Sequence, residues 1–208
     1  MTRNLATLIN DYKQKVLPLF QGNVDFSKNW ENHTLDSFTK LYEKTPLSFN
    51  RDYFAPGHFT ASAFLLNPQK DSIVLTLHKK LGKWLQLGGH ADGEYYLEKV
   101  ALKEAQEESG VNLISPLYFS PIEDLNHQPI PIDFDIHEIP SSSKNPSHLH
   151  YDVRFAFVAS QTKLTISSES NDLQWAPLNQ ISNFTKEKNI LRCLWKLKLL
   201  MANKEVFS

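Results

Sequence analysis

The chain carries a single cysteine, Cys193, in 208 residues, so no internal disulfide can brace it. That scarcity fits a reducing compartment and points to the cytoplasm. Long apolar runs are missing as well: the longest, Phe155 to Ala159, has five residues. A membrane-spanning helix needs roughly 20, so no membrane association is expected. No apolar stretch follows the opening Met1-Thr2-Arg3-Asn4, so no secretory signal is expected there. An excess of one charge is also absent, with 22 Lys and Arg against 23 Asp and Glu. This balance argues against a nucleic acid polymer as partner. Repeats and low-complexity tracts are lacking. What remains is the composition of an ordinary globular chain, 41% hydrophobic and 22% charged. Its length suits one substantial domain with an appendage.

Residues 1–50 read as a helical extension and 51–208 as the main domain. In the extension Leu5, Leu8, Ile9, Tyr12, Val16 and Leu19 recur at helical spacing, and Pro18 is expected to end or kink the segment. A second helix is predicted after Asn32 or Thr34, with Leu35, Phe38, Leu41 and Tyr42 on its apolar side. Such a stripe should pack against the main domain and shape its pocket or a homodimer contact. From Phe54 onward, short β-branched and aromatic runs predict strands at 59–66, 73–78, 84–87, 114–119, 131–139 and 151–159. The Trp84 strand should end at Gly88-Gly89. Helices are predicted over 94–109, capped by Gly110, and over 186–201. Strands interleaved with helices make this a mixed α/β protein.

The helix over 94–109 carries the chemistry. On a wheel at about 100° per residue, Leu97, Val100, Ala101, Glu104, Glu107, Glu108 and Val111 share one stripe. Glu98, Lys99, Lys103, Gln106 and Ser109 take the other side, which suits solvent. The inward stripe therefore starts apolar and ends in three carboxylates that repel one another. A divalent cation would compensate them, and hard oxygen ligands suit Mg²⁺ or Mn²⁺.

Gly89, Glu104, Glu107, Glu108, Gly110 and Val111 resemble the signature of the Nudix hydrolases, Gly-x5-Glu-x7-Arg-Glu-U-x-Glu-Glu-x-Gly-U, where U is aliphatic. The match spans about residues 89–111. Three positions depart: Tyr95 stands for the first Glu, Lys103 for Arg and Ala105 for a larger aliphatic. In the family that Glu ties the loop to the helix through the Arg, and here Glu94 is the candidate substitute. The resemblance implies an α/β/α sandwich around a mixed sheet, with the helices of 1–50 added. It also implies a hydrolase that uses Mg²⁺ (or Mn²⁺) to cleave a diphosphate linkage in a small nucleoside-diphosphate-type substrate. By position, Glu104 and Glu108 would be metal ligands and Glu107 a third ligand or a base. Glu169, ahead of a Trp175-x-Pro177-Leu178 turn, is the further candidate base. ADP-ribose, nucleotide sugars, dinucleoside polyphosphates and aberrant nucleoside triphosphates all fit such an enzyme.

A second polar face alternates through His148, His150, Asp152 and Arg154. At period two these point to one side of a strand, where they could ligate metal or grip phosphate. His150 and Arg154 are therefore expected to serve substrate binding without bearing on stability, and His90, just before the acidic helix, is expected to contact substrate. His58 is a weaker candidate. Two other functions share the fold. A non-catalytic nucleotide-binding module would show loss of the acids, which are present. An isopentenyl-diphosphate-isomerase-like enzyme would use a cysteine, and Cys193 lies outside any motif.

Overall fold

β-Branched and aromatic runs form the strands, and the polar tracts between them turn. The structure is a computed structural model describing residues 3–20, 28–118, 128–168 and 170–202. In chain order it contains α1 (Leu5–Asp11), α2 (Lys28–Lys44), β1 (Gly57–Leu66), β2 (Ser72–His78), β3 (Lys83–Leu85), β4 (Leu87–His90) and α3 (Leu97–Ser109). There follow β5 (Ile114–Pro116), β6 (Pro131–Ile139), β7 (His148–Ala159), β8 (Ser170–Pro177), α4 (Ile181–Phe184) and α5 (Lys188–Ala202).

The strands join in one mixed sheet. Its centre is the parallel pairing of β1 with β7, in register from Gly57 opposite Leu149 to Leu66 opposite Val158. The other pairings among the described residues are antiparallel: β2 and β4 on β1, β3 and β8 on β2, β5 and β6 on β7. Helices flank this sheet, α3 on β1 and β4, and α2 and α5 against β6. The architecture is the expected α/β/α sandwich with an added N-terminal helical region.

That region shares the core of the sheet. Phe38 of α2 packs its ring against Phe59, Phe134 and Tyr151, at centroid distances of 5.9, 5.0 and 5.3 Å. Leu5, Leu8, Ile9, Tyr12 and Val16 are buried, as their spacing predicts. Pro18 lies where the helix type changes: the segment passes through a π turn at Tyr12–Val16 into a 3₁₀ turn at Leu17–Phe20 that contains the proline. The second helix begins at Lys28, ahead of the predicted start.

Other boundaries moved for local reasons. Residues 84–87 divide between two strands, β3 on β2 and β4 on β1, and Gly88-Gly89 lies inside β4. The acidic helix starts at Leu97 because Asp92 and Gly93, at φ 49° and 87°, turn the chain through the left-handed region first. It ends at Gly110 (φ 70°), the expected cap. β7 begins at His148 rather than Tyr151, which brings both of its histidines onto the sheet. Of the strand expected over 114–119, β5 covers Ile114–Pro116 and Phe119 lies outside the described residues.

Candidate active site

Cross-strand register decides which side chains meet. His58 of β1, His150 of β7 and His137 of β6 form one rung. Thr60, Asp152 and Asp135 form the next, and Ser62, Arg154 and Asp133 a third. On the other side of β1, β4 sets His90 beside Thr60 and Gly88 beside Ser62. Directly opposed residues share a face, so the polarity of this face runs from imidazoles at one end to ions at the other.

At the ionic end, Arg154 is fully buried, 0% exposed. Its guanidinium reaches Asp152 at 2.8 Å, Asp135 at 2.9 Å and Asp133 at 3.3 Å, and it donates to the Asn189 carbonyl at 2.9 Å. From α5, Arg192 bridges Asp133 and Asp135 at 2.8 and 2.7 Å. Lys196 pairs with Asp133 and with Glu31 of α2, and donates to the Tyr12 hydroxyl at 2.8 Å. Burial alone would lower the Arg154 pKa, but Asp135, Asp152 and Asp133 outweigh it and hold the group more basic than usual. Burial likewise pushes Asp135 up, while Arg154, the bond from His137 and Arg192 hold it far below the carboxylate range. Arg154 therefore lines neither cavity described below, and its side chain is taken up by the buried acids around it. Alternation identified the face correctly, but not the α5 residues that cover its far end. Asp133 and Asp135 on β6, with Arg192 and Lys196 one helical turn apart, were the signal for this network.

At the other end five histidines converge. Ring centroids lie 4.8 Å apart for His58 and His150, 5.2 Å for His58 and His90, and 5.2 Å for His90 and His150. His137 and His148 stand 5.4 and 5.3 Å from His150. Three rings are anchored through Nδ1: His58 on the Tyr53 carbonyl at 3.1 Å, His148 on the Pro146 carbonyl at 2.8 Å, and His137 on Asp135 at 2.9 Å. Nε2 of His58 and Nε2 of His150 meet no hydrogen-bond partner among the described residues. Burial, reinforced by the neighbouring imidazoles, pulls His150 down to about 2. Burial also takes His58 to about 4, against the opposing pull of the Tyr53 carbonyl.

His90, His137 and His150 line a cavity of about 200 Å³ together with Thr60, Ser62, Glu108 and Asp152. The same histidines continue into a cleft of about 640 Å³, with Lys80 and Arg51 among its walls. This volume suits a small-molecule ligand. His90 and His150 line both spaces, and His58, the weaker candidate from sequence, lines the larger one. His137 was missed there altogether; its signal is the Asp133-x-Asp135-x-His137 alternation on β6.

The acidic face lies across β4 from this wall. Glu108 accepts the Gly88 N–H at 3.0 Å. Glu104 lies so close to Gly89 that a Cβ there would stand 2.5 Å from the carboxylate carbon, so any larger residue would have to push that carboxylate aside. Glu104 and Glu108 are half-buried, Glu108 on the histidine-lined cavity and Glu104 on a neighbouring cleft that also includes His90. Two carboxylates one turn apart on a tight glycine strand are hard oxygen donors suited to Mg²⁺ or Mn²⁺. Glu107 is not brought to either cleft: its side chain is exposed and pairs with Lys103 at 3.7 Å. The buried side of α3 is rotated from the predicted stripe, because residue 3 of the extension covers Glu98, whose carboxylate accepts the Arg3 N–H at 3.1 Å. Ser109, also expected in solvent, is buried. Glu169 lies outside the described residues.

The altered loop before α3 is held from elsewhere. Glu94 accepts the Tyr96 N–H at 3.0 Å, tying the loop to the helix start but not through Lys103. Tyr95 packs on Phe49 at 4.8 Å, Gly93 N–H donates to the Phe49 carbonyl at 2.9 Å, and Arg51 pairs with Asp92. Cys193 is buried in α5 and does not line the cavity.

The sheet sandwich, with an acidic helix laid on a Gly-Gly strand, is the arrangement that the resemblance to the Nudix hydrolases implies. The sequence pattern of the NUDIX domain matches residues 56–194, and the chain belongs to that family as a Nudix-type hydrolase. Among solved structures, a NUDIX-family hydrolase from Clostridium perfringens is similar at 26% identity and TM-score 0.53, covering 73% of this chain and 99% of its own. An Ap4A hydrolase from C. elegans, in a binary complex, has 14% identity and TM-score 0.48, over 69% and 97% of the two chains. The NUDIX domain of Shewanella oneidensis NrtR, complexed with ADP ribose, has 17% identity and TM-score 0.47, over 77% and 96%. No curated protein matches the sequence. Among the described residues no helix is long and apolar enough to cross a membrane.

Proposed function

We propose that this chain is a divalent-metal-dependent hydrolase that cleaves a diphosphate linkage in a small nucleoside-diphosphate-type substrate. The observation that carries the reading is the placement of Glu104 and Glu108, half-buried against the Gly88–Gly89 strand at the edge of the cavity. These two carboxylates would hold Mg²⁺ or Mn²⁺. When bound, such an ion neutralises phosphate charge and makes water a better nucleophile.

The rest of the work falls to the chain itself. Thr60 and Ser62 donate to Asp152 at 3.0 and 2.9 Å, and Arg154 fixes it from below, so the cavity floor presents one immobile carboxylate. His90 and His150 form the wall that meets the substrate, and Lys80 adds a cation at the mouth of the cleft. The buried lower rungs exclude water from beneath the site. A panel of nucleoside diphosphate derivatives, assayed with and without Mg²⁺, tests the reading. Turnover of at least one member should require the ion and fall by about 100-fold or more in Glu104→Gln and Glu108→Gln. Undiminished turnover in both variants would refute the assignment.

A further inference from the structure

We propose that His58, His90 and His150 form a second cation site, for a divalent transition ion of the Zn²⁺ class, separate from the acidic face of α3. Each contributes one ring nitrogen, and the three nitrogens lie within 4.8 Å of one another. A tetrahedral ion with bonds of about 2.0–2.1 Å needs its ligands about 3.4 Å apart, so rotations of roughly an ångström close the set. The three come from different strands, held by the register of β1 with β7 and with β4.

Tautomer geometry supports ligation. The Tyr53 carbonyl can only accept, so His58 Nδ1 carries the proton and Nε2 carries the lone pair. An imidazole oriented through its far nitrogen in this way is the arrangement that supports a metal-ligating histidine. His58 is 1% exposed, and its Nε2 is one of the two buried ring nitrogens with no hydrogen-bond partner among the described residues. The other belongs to His150. A buried acceptor without a donor is unfavourable, and a cation removes the deficit for both at once.

Donor chemistry separates the two sites. Imidazole nitrogen favours Zn²⁺, Co²⁺ or Ni²⁺, whereas carboxylate oxygen favours Mg²⁺ and Mn²⁺. No carboxylate belongs to the histidine trio, so an ion there keeps its full positive charge. Three protein ligands leave one tetrahedral position open, the pattern of zinc sites that bind water or an anionic ligand. That position would face the cavity lined by Glu108 and Asp152. The site stands whether or not the chain hydrolyses diphosphates.

The test uses the tag-free full chain, stripped by a chelator and titrated with Co²⁺ in the presence of excess Mg²⁺. A single equivalent should bind with the visible absorption of four-coordinate Co²⁺, and Zn²⁺ should displace it. His150→Ala and His90→Gln should each weaken binding by at least about 100-fold, while Glu108→Gln leaves it within about threefold. His58→Ala joins the set if circular dichroism shows it folded; the other two carry the result if it is not. Imidazole nitrogen NMR should show the shift on addition of Zn²⁺ at His58 and His150. Wild-type protein that binds no Zn²⁺ in excess Mg²⁺, or binding that survives in the histidine variants, overturns the proposal. So does equal loss in Glu108→Gln, which would place the ion on the acidic helix.

Discussion

Two halves of one strand face behave in opposite ways. Asp152 and Arg154 of β7 sit in an ionic network: Arg154 meets Asp152 beside it and Asp133 and Asp135 from β6, and Arg192 of α5 adds a second guanidinium to the β6 pair, its buried Nε being without a hydrogen-bond partner among the described residues. Four residues earlier, His148 and His150 sit among other imidazoles, and buried ring nitrogens go without partners. The alternation is the same in both halves; the degree of compensation differs. A folded chain tolerates buried charge where it is matched and leaves deficits where a ligand is to supply the match. The difference teaches that, on a polar face, support and function are told apart by what remains unsatisfied.

The largest test of that contrast removes residues 1–44. The deletion strips Tyr12 and Glu31 from Lys196 and exposes the surface under Leu5, Leu8, Tyr12 and Phe38, each of which stabilises by roughly 1.5–3 kcal/mol when buried. We expect an aggregating or unfolded product. Recovery of a soluble fragment with parental melting temperature would break the claim that the ionic half depends on the extension.

Next in size is Arg154→Ala. It leaves Asp133, Asp135 and Asp152 buried with their shared cation gone, a loss of about 3–5 kcal/mol in urea unfolding. His150→Leu, two residues away, removes an unpartnered nitrogen and should unfold within about 1 kcal/mol of the parent. Equal effects at the two positions would abolish the comparison.

Acid sharpens it further. Asp133 and Asp135 are held below the ordinary value of 3.8; for both, burial opposes the shift and the buried cations override it. Their folded pKa lies below the unfolded one, so the stability they confer is present above pH 3.8 and drains away as the pH falls beneath it. Melting temperature should therefore drop steeply below about pH 4, and the drop should be shallower in Asp135→Asn, which has one fewer carboxylate to protonate. An identical acid profile in that variant would count against the network. The smallest effect is expected for Lys103→Ala: its pair with Glu107 is exposed, so stability should change by less than about 0.5 kcal/mol.

Much of this was legible beforehand. The acidic helix, its Gly110 cap and the apolar stripes of the extension follow from spacing and turn chemistry, which are local, whereas the sandwich came from the resemblance to the Nudix hydrolases. Long-range pairing was not legible, because a period of two says which residues share a face and nothing of what that face meets. Arg154 and Glu98 were misread for this reason: α5 covers one and the N-terminal segment covers the other. His58 and His137 become site residues only through register with His150. Glu107 looked equivalent to Glu104 on a wheel, yet α3 is turned so that it faces solvent.

The parallel pairing of β1 with β7 has a consequence for the order of events in folding. Thr60 meets Asp152 across 92 residues of chain, and the whole histidine wall depends on the same alignment. Contacts of such separation close slowly, after helices and hairpins have formed. A slip of one residue would turn His150 and Asp152 to the opposite face and bring Tyr151 and Val153 to the cavity, so an early, approximate pairing yields no site. Ligand capture is thereby confined to chains that have completed this long-range step, and amide exchange along β1 and β7 should report opening of the entire sheet rather than local breathing.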